Sequence, residues 1–242
     1  MVERVADGVF VGHGTDVNWI LVVDGKDVTL VDTGYPGDRD ALMASIRAVG
    51  RRPEDVRAVL LTHAHIDHVG SAAFFADTYG TPVYTDPVEV GHARHDHREQ
   101  AGPLDVARNA WRPGVLPWTL RIMRVGALSD VPVQQAAAFP RAGALDLPGR
   151  PTPVATHGHT SGHTAYLLPD AGAIVTGDGL ITGHSVSRTT GPQLIAPWFN
   201  HGDPEPALLP LADLDADLLL PGHGDPWRGS IGDAVAQARA RR

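Results

Sequence analysis

Residues 62–70 read THAHIDHVG, which places His63, His65, Asp67 and His68 within six positions. The stretch follows VRAVLLT (56–62), an apolar run that predicts a buried strand. Alternate side chains of an extended backbone face the same side, so His63 and His65 can hold one cation. The other two follow after a bend and can face a second position. One turn cannot complete either site, so further ligands must come from elsewhere in the chain.

Three later segments offer such ligands, each where an apolar strand ends and a loop begins. ATHGHTSGHTAYLL (155–168) contains His157, His159 and His163, IVTGDGL (174–180) contains Asp178, and LLLPGHGDPW (218–227) contains His223. Layered α/β proteins usually assemble their sites at strand ends of this kind. The sequence therefore predicts that distant strand ends complete the site begun at 62–70.

The order of predicted elements indicates a layered α/β fold. Helices are predicted over 39–49, 70–79 and the last eleven or so residues, the first ending at Gly50 and the second at Gly80. Strands are predicted at GVFVGH (8–13), NWILVVD (18–24), DVTLVD (27–32), VRAVLLT (56–62), TPVYT (81–85), TPVATH (152–157), TAYLLP (164–169), GAIVTGD (172–178) and DADLLLPGH (215–223).

Residues 86–140 break this pattern and are interpreted as a helical insertion in a single domain spanning 1–242. The segment is too short and too interrupted for a core of its own. DPVEVGHARHDHREQ (86–100) is interpreted as a polar helix whose His92, His95 and His97 face solvent. Trp118 could wall a substrate pocket, pack within the insertion or join two copies into a homodimer.

Composition excludes several classes of protein. Cysteine is absent from the 242 residues, which excludes disulfides, thiolate zinc sites and a cysteine nucleophile. The formal net charge of −8 and the lack of a basic patch argue against a nucleic-acid partner. The N-terminal residues lack the pattern of a signal peptide, and no long apolar window predicts a membrane span. A cytoplasmic protein without a membrane partner is expected.

The residues quoted above resemble those of the metallo-β-lactamase superfamily, in particular its glyoxalase II-like and lactonase-like hydrolases. HAHIDH (63–68) matches the motif H-x-H-x-D-H, and GHTSGH (158–163) matches G-H-T-x-G, which selects His159 over His157. TGD and PGHG match the family segments that contain Asp178 and His223. VDTG (31–34) matches an early loop whose aspartate supports the ligands.

The resemblance implies a four-layer αββα sandwich with two divalent metal ions. Zinc is the first expectation, with iron or manganese as alternatives. One ion would lie on His63, His65 and His159 and the other on Asp67, His68 and His223, with Asp178 between them. Asp32 and His163 would contact these ligands without binding metal.

The chemistry implied is hydrolysis of a carboxylic ester, lactone or thioester of small size. Two cations lower the pKa of a shared water, and the hydroxide attacks a carbonyl that one cation polarises. Asp67 and Asp178 would orient that hydroxide. Class B1 β-lactamases are excluded because they use a cysteine ligand, and class B3 enzymes because they lack a carboxylate at the position of Asp178.

The substrate stays open between a lactone and an acyl thioester. Signalling-lactone hydrolases have a tyrosine three residues after the bridging aspartate, where this chain has Ile181, and the C-terminal helical domain of glyoxalase II is not expected here. The pocket candidates are Tyr35, Trp118, His184 and His201. Two other functions are weighed, a mononuclear iron enzyme that oxidises persulfides and a metal-binding protein without activity.

Overall fold

Two β-sheets form the centre of the molecule, and the computed structural model describes residues 2–241. The first sheet contains seven strands in chain order, β1 (Val2–Ala6), β2 (Val9–His13), β3 (Asn18–Asp24), β4 (Asp27–Val31), β5 (Val56–Leu60), β6 (Val83–Thr85) and β7 (Ala136–Ala138). The second sheet has the order β12-β11-β10-β9-β8, with β8 (Thr152–Ala155), β9 (Thr164–Leu168), β10 (Ala173–Gly177), β11 (Leu218–Pro221) and β12 (Trp227–Arg228).

Eight α-helices within residues 2–241 accompany the sheets. They are α1 (Arg39–Ala48), α2 (Ile66–Val69), α3 (Ala72–Tyr79), α4 (Val90–Ala93), α5 (Pro103–Asn109), α6 (Val115–Arg124), α7 (Leu209–Ala212) and α8 (Ile231–Ala240). No helix within residues 2–241 is both long and apolar enough to cross a lipid bilayer.

The strands are apolar on both faces because each sheet is covered on both sides. In β3, Trp19 and Leu21 pack with α1 and α3, whereas Ile20 and Val22 pack against the second sheet. In β11, Leu219 packs with α7 and α8 while its neighbours join the core between the sheets. This period of two places helices outside and sheets inside, so the predicted αββα fold is confirmed.

Parallel strand pairs bring the site segments to one edge. β4 and β5 run parallel, as do β10 and β11, so the carboxyl ends of each pair lie side by side. The segment THAHIDHVG follows β5, Asp178 follows β10, and His223 follows β11. The candidate site therefore lies at the carboxyl-terminal edges of both sheets.

Residues 86–140 contain α4, α5 and α6 and end with β7, which pairs with β6 in the first sheet. The polar helix expected at 86–100 is reduced to the four residues of α4. Helix α6 packs Val115, Trp118 and Ile122 onto Tyr35 and Ile66 beside the site. Most other elements begin and end within a few residues of the predicted bounds, whereas no prediction covers β1, β7, β12, α2 or α7.

Candidate metal centre

Seven side chains from four segments converge at the sheet edge. Six of them are buried and the seventh, Asp67, is partly exposed; they are His63, His65, Asp67, His68, His159, Asp178 and His223. Their donor atoms form overlapping groups in which all atoms lie within 4.8 Å of one another. The structure thus brings together every residue that the resemblance implies as a metal ligand.

Two of these groups contain the triads that the resemblance implies, and a third, His63, His68 and Asp178, takes one histidine from each triad. One contains His63, His65 and His159, and another contains Asp67, His68 and His223. In the first, Nε2 of His159 lies 3.1 Å from Nδ1 of His65. In the second, Nε2 of His223 lies 3.5 Å from Oδ2 of Asp67.

Asp178 lies between the two groups. Its Oδ2 is 3.5 Å from Nε2 of His159 and 3.1 Å from Nε2 of His223. Its Oδ1 is 3.5 Å from Nε2 of His68. This carboxylate therefore lies within reach of both clusters.

Two of the histidines are oriented by Asp32. Its Oδ2 accepts a hydrogen bond from Nδ1 of His68 at 2.7 Å and another from the Thr62 hydroxyl at 2.7 Å. Because the Thr62 hydroxyl donates to Asp32, its oxygen accepts from Nδ1 of His63 at 3.0 Å. Asp32 has a φ of 61°, a strained backbone that is held where it supports the site.

The other three histidines also have an acceptor on the nitrogen facing away from the centre. The Glu99 carbonyl oxygen lies 3.0 Å from Nε2 of His65, and the Asn200 side-chain oxygen lies 2.8 Å from Nδ1 of His159. The Asp16 carbonyl oxygen lies 2.5 Å from Nδ1 of His223. An acceptor at one ring nitrogen places the proton there and leaves the other nitrogen as a lone-pair donor toward the centre.

This donor set fits divalent cations. Three buried atoms at its middle, Nε2 of His63, Nε2 of His68 and Oδ1 of Asp178, have no hydrogen-bond partner among residues 2–241. Leaving buried polar atoms unpaired costs free energy unless another partner is bound there. Imidazole nitrogens with carboxylate oxygens are typical ligands of zinc and related metals.

Electrostatics agree with metal binding at His63, His159 and Asp178, whereas at His68 and His223 the nearby carboxylates outweigh burial and raise the pKa of the imidazole. Burial, with neighbouring imidazoles, holds the pKa of His63 and His159 well below the ordinary value, so both rings are neutral and able to bind a cation. Burial opposes the charge of Asp178, but His223 and His68 beside it keep its pKa well below the usual range. That aspartate therefore carries its negative charge at neutral pH.

His163 supports Asp178 rather than joining the cluster. Its Nε2 accepts hydrogen bonds from the backbone N–H of Asp178 at 3.1 Å and of Gly179 at 3.2 Å. Burial lowers the pKa of His163 to about 4, which keeps this nitrogen unprotonated. His157, by contrast, is exposed and lies 3.4 Å from Asp86.

A cavity of about 550 Å³ opens onto the centre. Of the four pocket candidates, Tyr35, Trp118 and His184 line it. His201 does not belong to the lining; its backbone N–H donates to the His159 carbonyl at 2.9 Å. The remaining walls are mostly apolar and include Val106, Ile122, Met123, Ile195 and Phe199.

The expectation that His92, His95 and His97 share a solvated face is wrong for His92. Its side chain is only 2% exposed, and Nδ1 donates to Glu89 at 2.9 Å. His95 is partly exposed and contacts Asp130, and His97 is exposed. The polar spacing resembles that of a surface helix, but the chain folds back at this point and buries the first of the three.

Four residues that support the ligands were not predicted: Glu89, Glu99, Gln100 and Asn200. Asn200 and Glu99 contact ligand imidazoles as described above. The Gln100 side-chain oxygen accepts from the backbone N–H of Ile66 at 3.1 Å. Nothing in the local sequence distinguishes these residues from ordinary surface side chains.

Comparisons with known proteins agree with the geometry. The sequence model of the metallo-beta-lactamase superfamily matches residues 13–223. The chain is 25% identical to the probable metallo-hydrolase YflN of Bacillus subtilis, over 83% of this chain and 76% of that protein. It is 33% identical to the hydroxyacylglutathione hydrolase of Anaeromyxobacter dehalogenans, over 87% of this chain and 62% of that protein.

Solved structures share the fold. MEM-A1, a subclass B3 metallo-beta-lactamase from a soil metagenome library, superposes with a TM-score of 0.67 at 17% identity, covering 99% of this chain and 93% of that chain. At that level of identity the likeness concerns the architecture, and function must be argued from the site.

A four-layer sandwich with clustered histidines and carboxylates at one sheet edge defines a metal-dependent hydrolase. The chain belongs to the metallo-β-lactamase superfamily, as the match across residues 13–223 shows.

Proposed function

We propose that this protein is a dinuclear metal hydrolase that cleaves a carboxylic ester, lactone or thioester. The observation that carries the proposal is the arrangement of five histidines, each with an acceptor at its outer nitrogen and its inner nitrogen in a cluster that also contains Asp67 and Asp178. Such prior orientation of ligands is what a catalytic metal centre requires.

Two cations are proposed because the ligands form two triads around one shared carboxylate. His63, His65 and His159 would hold one ion, Asp67, His68 and His223 would hold the other, and Asp178 would contact both. Zinc is the first candidate for this mixture of nitrogen and oxygen donors, with iron or manganese as alternatives.

Divalent cations bound here would supply a Lewis acid for the scissile carbonyl and an activated water as the nucleophile. The chain's own side chains would position the reacting groups and exchange protons with them. Asp67 is the one proposed ligand that is partly exposed, and it lines the cavity. We assign its carboxylate to accept a hydrogen bond from the attacking water and to return a proton to the leaving group.

Two further side chains line the cavity beside the ligands, Tyr35 and His184. Burial lowers the pKa of His184 to about 3, so the ring is neutral, and its Nδ1 accepts from the Val186 backbone N–H at 3.2 Å. The proton is then on Nε2, which can donate. We assign Tyr35 and His184 as hydrogen-bond donors to substrate oxygens.

The cavity walls favour a substrate with an uncharged, apolar group. Trp118 is in edge contact with Phe199, at 5.6 Å between ring centroids, and both rings line the cavity. Apolar and aromatic walls with a few polar groups bind ligands by burying apolar surface. An acyl chain or aromatic group on the ester, lactone or thioester would lie along this wall.

Metal analysis with a substrate panel tests the proposal. The purified protein should hold two divalent ions per chain and hydrolyse members of a series of lactones, aryl esters and acyl thioesters that differ in chain length. A chain that holds one iron and consumes oxygen with a persulfide would replace hydrolysis by oxidation. Bound metal without turnover of any substrate would favour a binding protein.

A further inference from the structure

The side chain of Glu89 is a fully buried carboxylate with four hydrogen bonds. Its Oε1 accepts from the Ala64 backbone N–H at 2.8 Å and from Nδ1 of His92 at 2.9 Å. Its Oε2 accepts from the Thr160 hydroxyl at 2.8 Å and the Gly162 backbone N–H at 3.0 Å. Each oxygen thus accepts two hydrogen bonds, which uses the full capacity of a carboxylate.

Three of these donors belong to the two loops that form one ligand triad. Ala64 lies between His63 and His65, and Thr160 directly follows His159. A single carboxylate therefore joins the H-x-H loop to the turn that contains His159, across more than 70 residues of sequence. None of its four bonds reaches the segments of Asp178 or His223.

The turn that contains Gly162 approaches the backbone of Glu89 too closely to admit a side chain. A Cβ on Gly162 would lie 2.5 Å from the backbone nitrogen of Glu89, so only glycine lets the turn pack here. Glu99 adds a second connection, because its Oε2 accepts from the Ser161 N–H at 2.6 Å and its carbonyl accepts from His65. Residues 89–100 thus hold both loops from one side.

A role as a third metal site does not fit these contacts. The donor atoms of Glu89, His92 and Glu99 do lie within 4.8 Å of one another. However, both oxygens of Glu89 are already saturated, and Nε2 of His92 accepts from the Glu99 backbone N–H at 3.3 Å. A cation would have to displace these bonds, so the cluster is a hydrogen-bonded support.

We infer that Glu89 is the positioning residue for one metal position only, the one formed by His63, His65 and His159. The inference rests on the proposed two-metal centre. The second position takes its orientation from other groups, since Asp32 contacts His68 and the Asp16 carbonyl contacts His223. Weakening Glu89 should therefore remove one metal and spare the other.

The test measures zinc per chain, and zinc affinity by chelator competition, in the wild type and in E89Q. The isosteric amide cannot accept four hydrogen bonds, so we expect two tightly bound ions to fall to one. Affinity at the affected position should fall about 10- to 100-fold, the usual effect of removing a group that orients ligands. T160V, which removes one of the four donors, should show a smaller loss at the same position.

The control is D38N. Asp38 is also a buried carboxylate, and it accepts from the Thr15 N–H and hydroxyl and from the Tyr35 N–H without touching a proposed ligand. D38N should lose thermal stability yet retain two ions. To assign the remaining ion, H223A should keep one tightly bound zinc, and H223A combined with E89Q should keep none.

The outcomes separate the inference from the proposed function. A wild-type chain with a single ion would overturn the two-metal centre and the role of Glu89 together. Two ions in the wild type, with unchanged number and affinity in E89Q and T160V, would overturn the role of Glu89 alone. The same conclusion follows if both ions are weakened equally, in proportion to the stability lost in D38N. Should E89Q fail to fold, T160V decides.

Discussion

Asp32 contacts His68 at 2.7 Å on the side of the imidazole that faces away from the metal centre. The same carboxylate also accepts hydrogen bonds from the backbone and hydroxyl of Thr62, and through that hydroxyl it reaches His63. One buried aspartate thus orients a ligand of each proposed metal position. Its contribution to metal binding can be measured directly.

We expect D32A to bind zinc about 10- to 100-fold more weakly than the wild type, because His68 loses its acceptor and the Thr62 hydroxyl, which accepts from His63, loses the carboxylate that orients it. Chelator competition at fixed pH gives the affinities. D38A, which removes a buried carboxylate remote from the ligands, is the matched control and should keep wild-type affinity. Equal losses in the two variants would show that Asp32 acts only through general stability.

Gly222 lies against the centre at a distance that admits no side chain. A Cβ there would lie 2.4 Å from Oδ1 of Asp178 and 2.9 Å from Cε1 of His68. G222A should therefore displace the carboxylate of Asp178. The displacement needed to relieve this overlap is expected to lower kcat by about 100-fold. Steady-state kinetics and metal content are the measurements.

Gly102 provides the control for that substitution. Its backbone φ is −88°, and the nearest atom to an added Cβ is 3.7 Å away, an ordinary contact. G102A should keep its metal, whereas G222A should not. If G222A retained wild-type metal content and kcat, the assigned position of Asp178 between the two triads would be wrong.

The candidate metal ligands could be identified from the sequence because the motifs that carry the family resemblance are local. H-x-H-x-D-H and G-H-T-x-G each span a few residues, and the strand that precedes each motif is marked by its apolar run. The continuous apolar runs of β3 and β11 are likewise typical of a sheet buried on both faces. Neither inference depends on which distant segments meet in the fold.

The residues that support the proposed ligands could not be identified from the sequence, because they reach the ligands through tertiary contacts between distant segments. Glu89 and His92 lie in a polar stretch, and polar residues are exposed in most proteins. Their burial depends on the turn at Thr160, which is 71 residues away along the chain from Glu89. Asn200 reaches His159 across a comparable gap of 41 residues. Sequence spacing alone gives no sign of either pairing.

Trp118 should determine preference for large apolar substrates. It is 5% exposed, lines the cavity and packs on Phe199. W118A should raise KM for long-chain esters or lactones by roughly 10- to 100-fold and leave short-chain substrates much less affected, since a hydrophobic wall discriminates by the apolar area it buries. A kinetic series of increasing chain length measures this.

Trp111 is the natural control because it is also in the insertion but is 78% exposed. W111A should leave the chain-length profile unchanged. A profile that shifts equally in both variants, or in neither, would show that the apolar wall does not select the substrate.

Glu89 should also make stability depend on pH in a defined direction. Burial raises its pKa, but the hydrogen bonds from His92, Ala64 and Thr160 outweigh burial and lower the pKa from 4.5 to about 2. A carboxyl whose pKa is lower in the folded state stabilises the fold above the unfolded-state pKa, and that stabilisation is lost as the pH falls toward the folded-state pKa.

The measurement is the free energy of unfolding of metal-free wild type and E89Q, determined by urea denaturation. The difference between them should be constant at neutral pH and should narrow by about 1 kcal/mol for each pH unit below about 4.5. Contributions from titrating groups that do not contact Glu89 are common to both proteins and cancel in the difference. A difference that stays constant down to about pH 3.5, or widens, would show that the carboxylate of Glu89 is not held in its charged form by the two ligand loops.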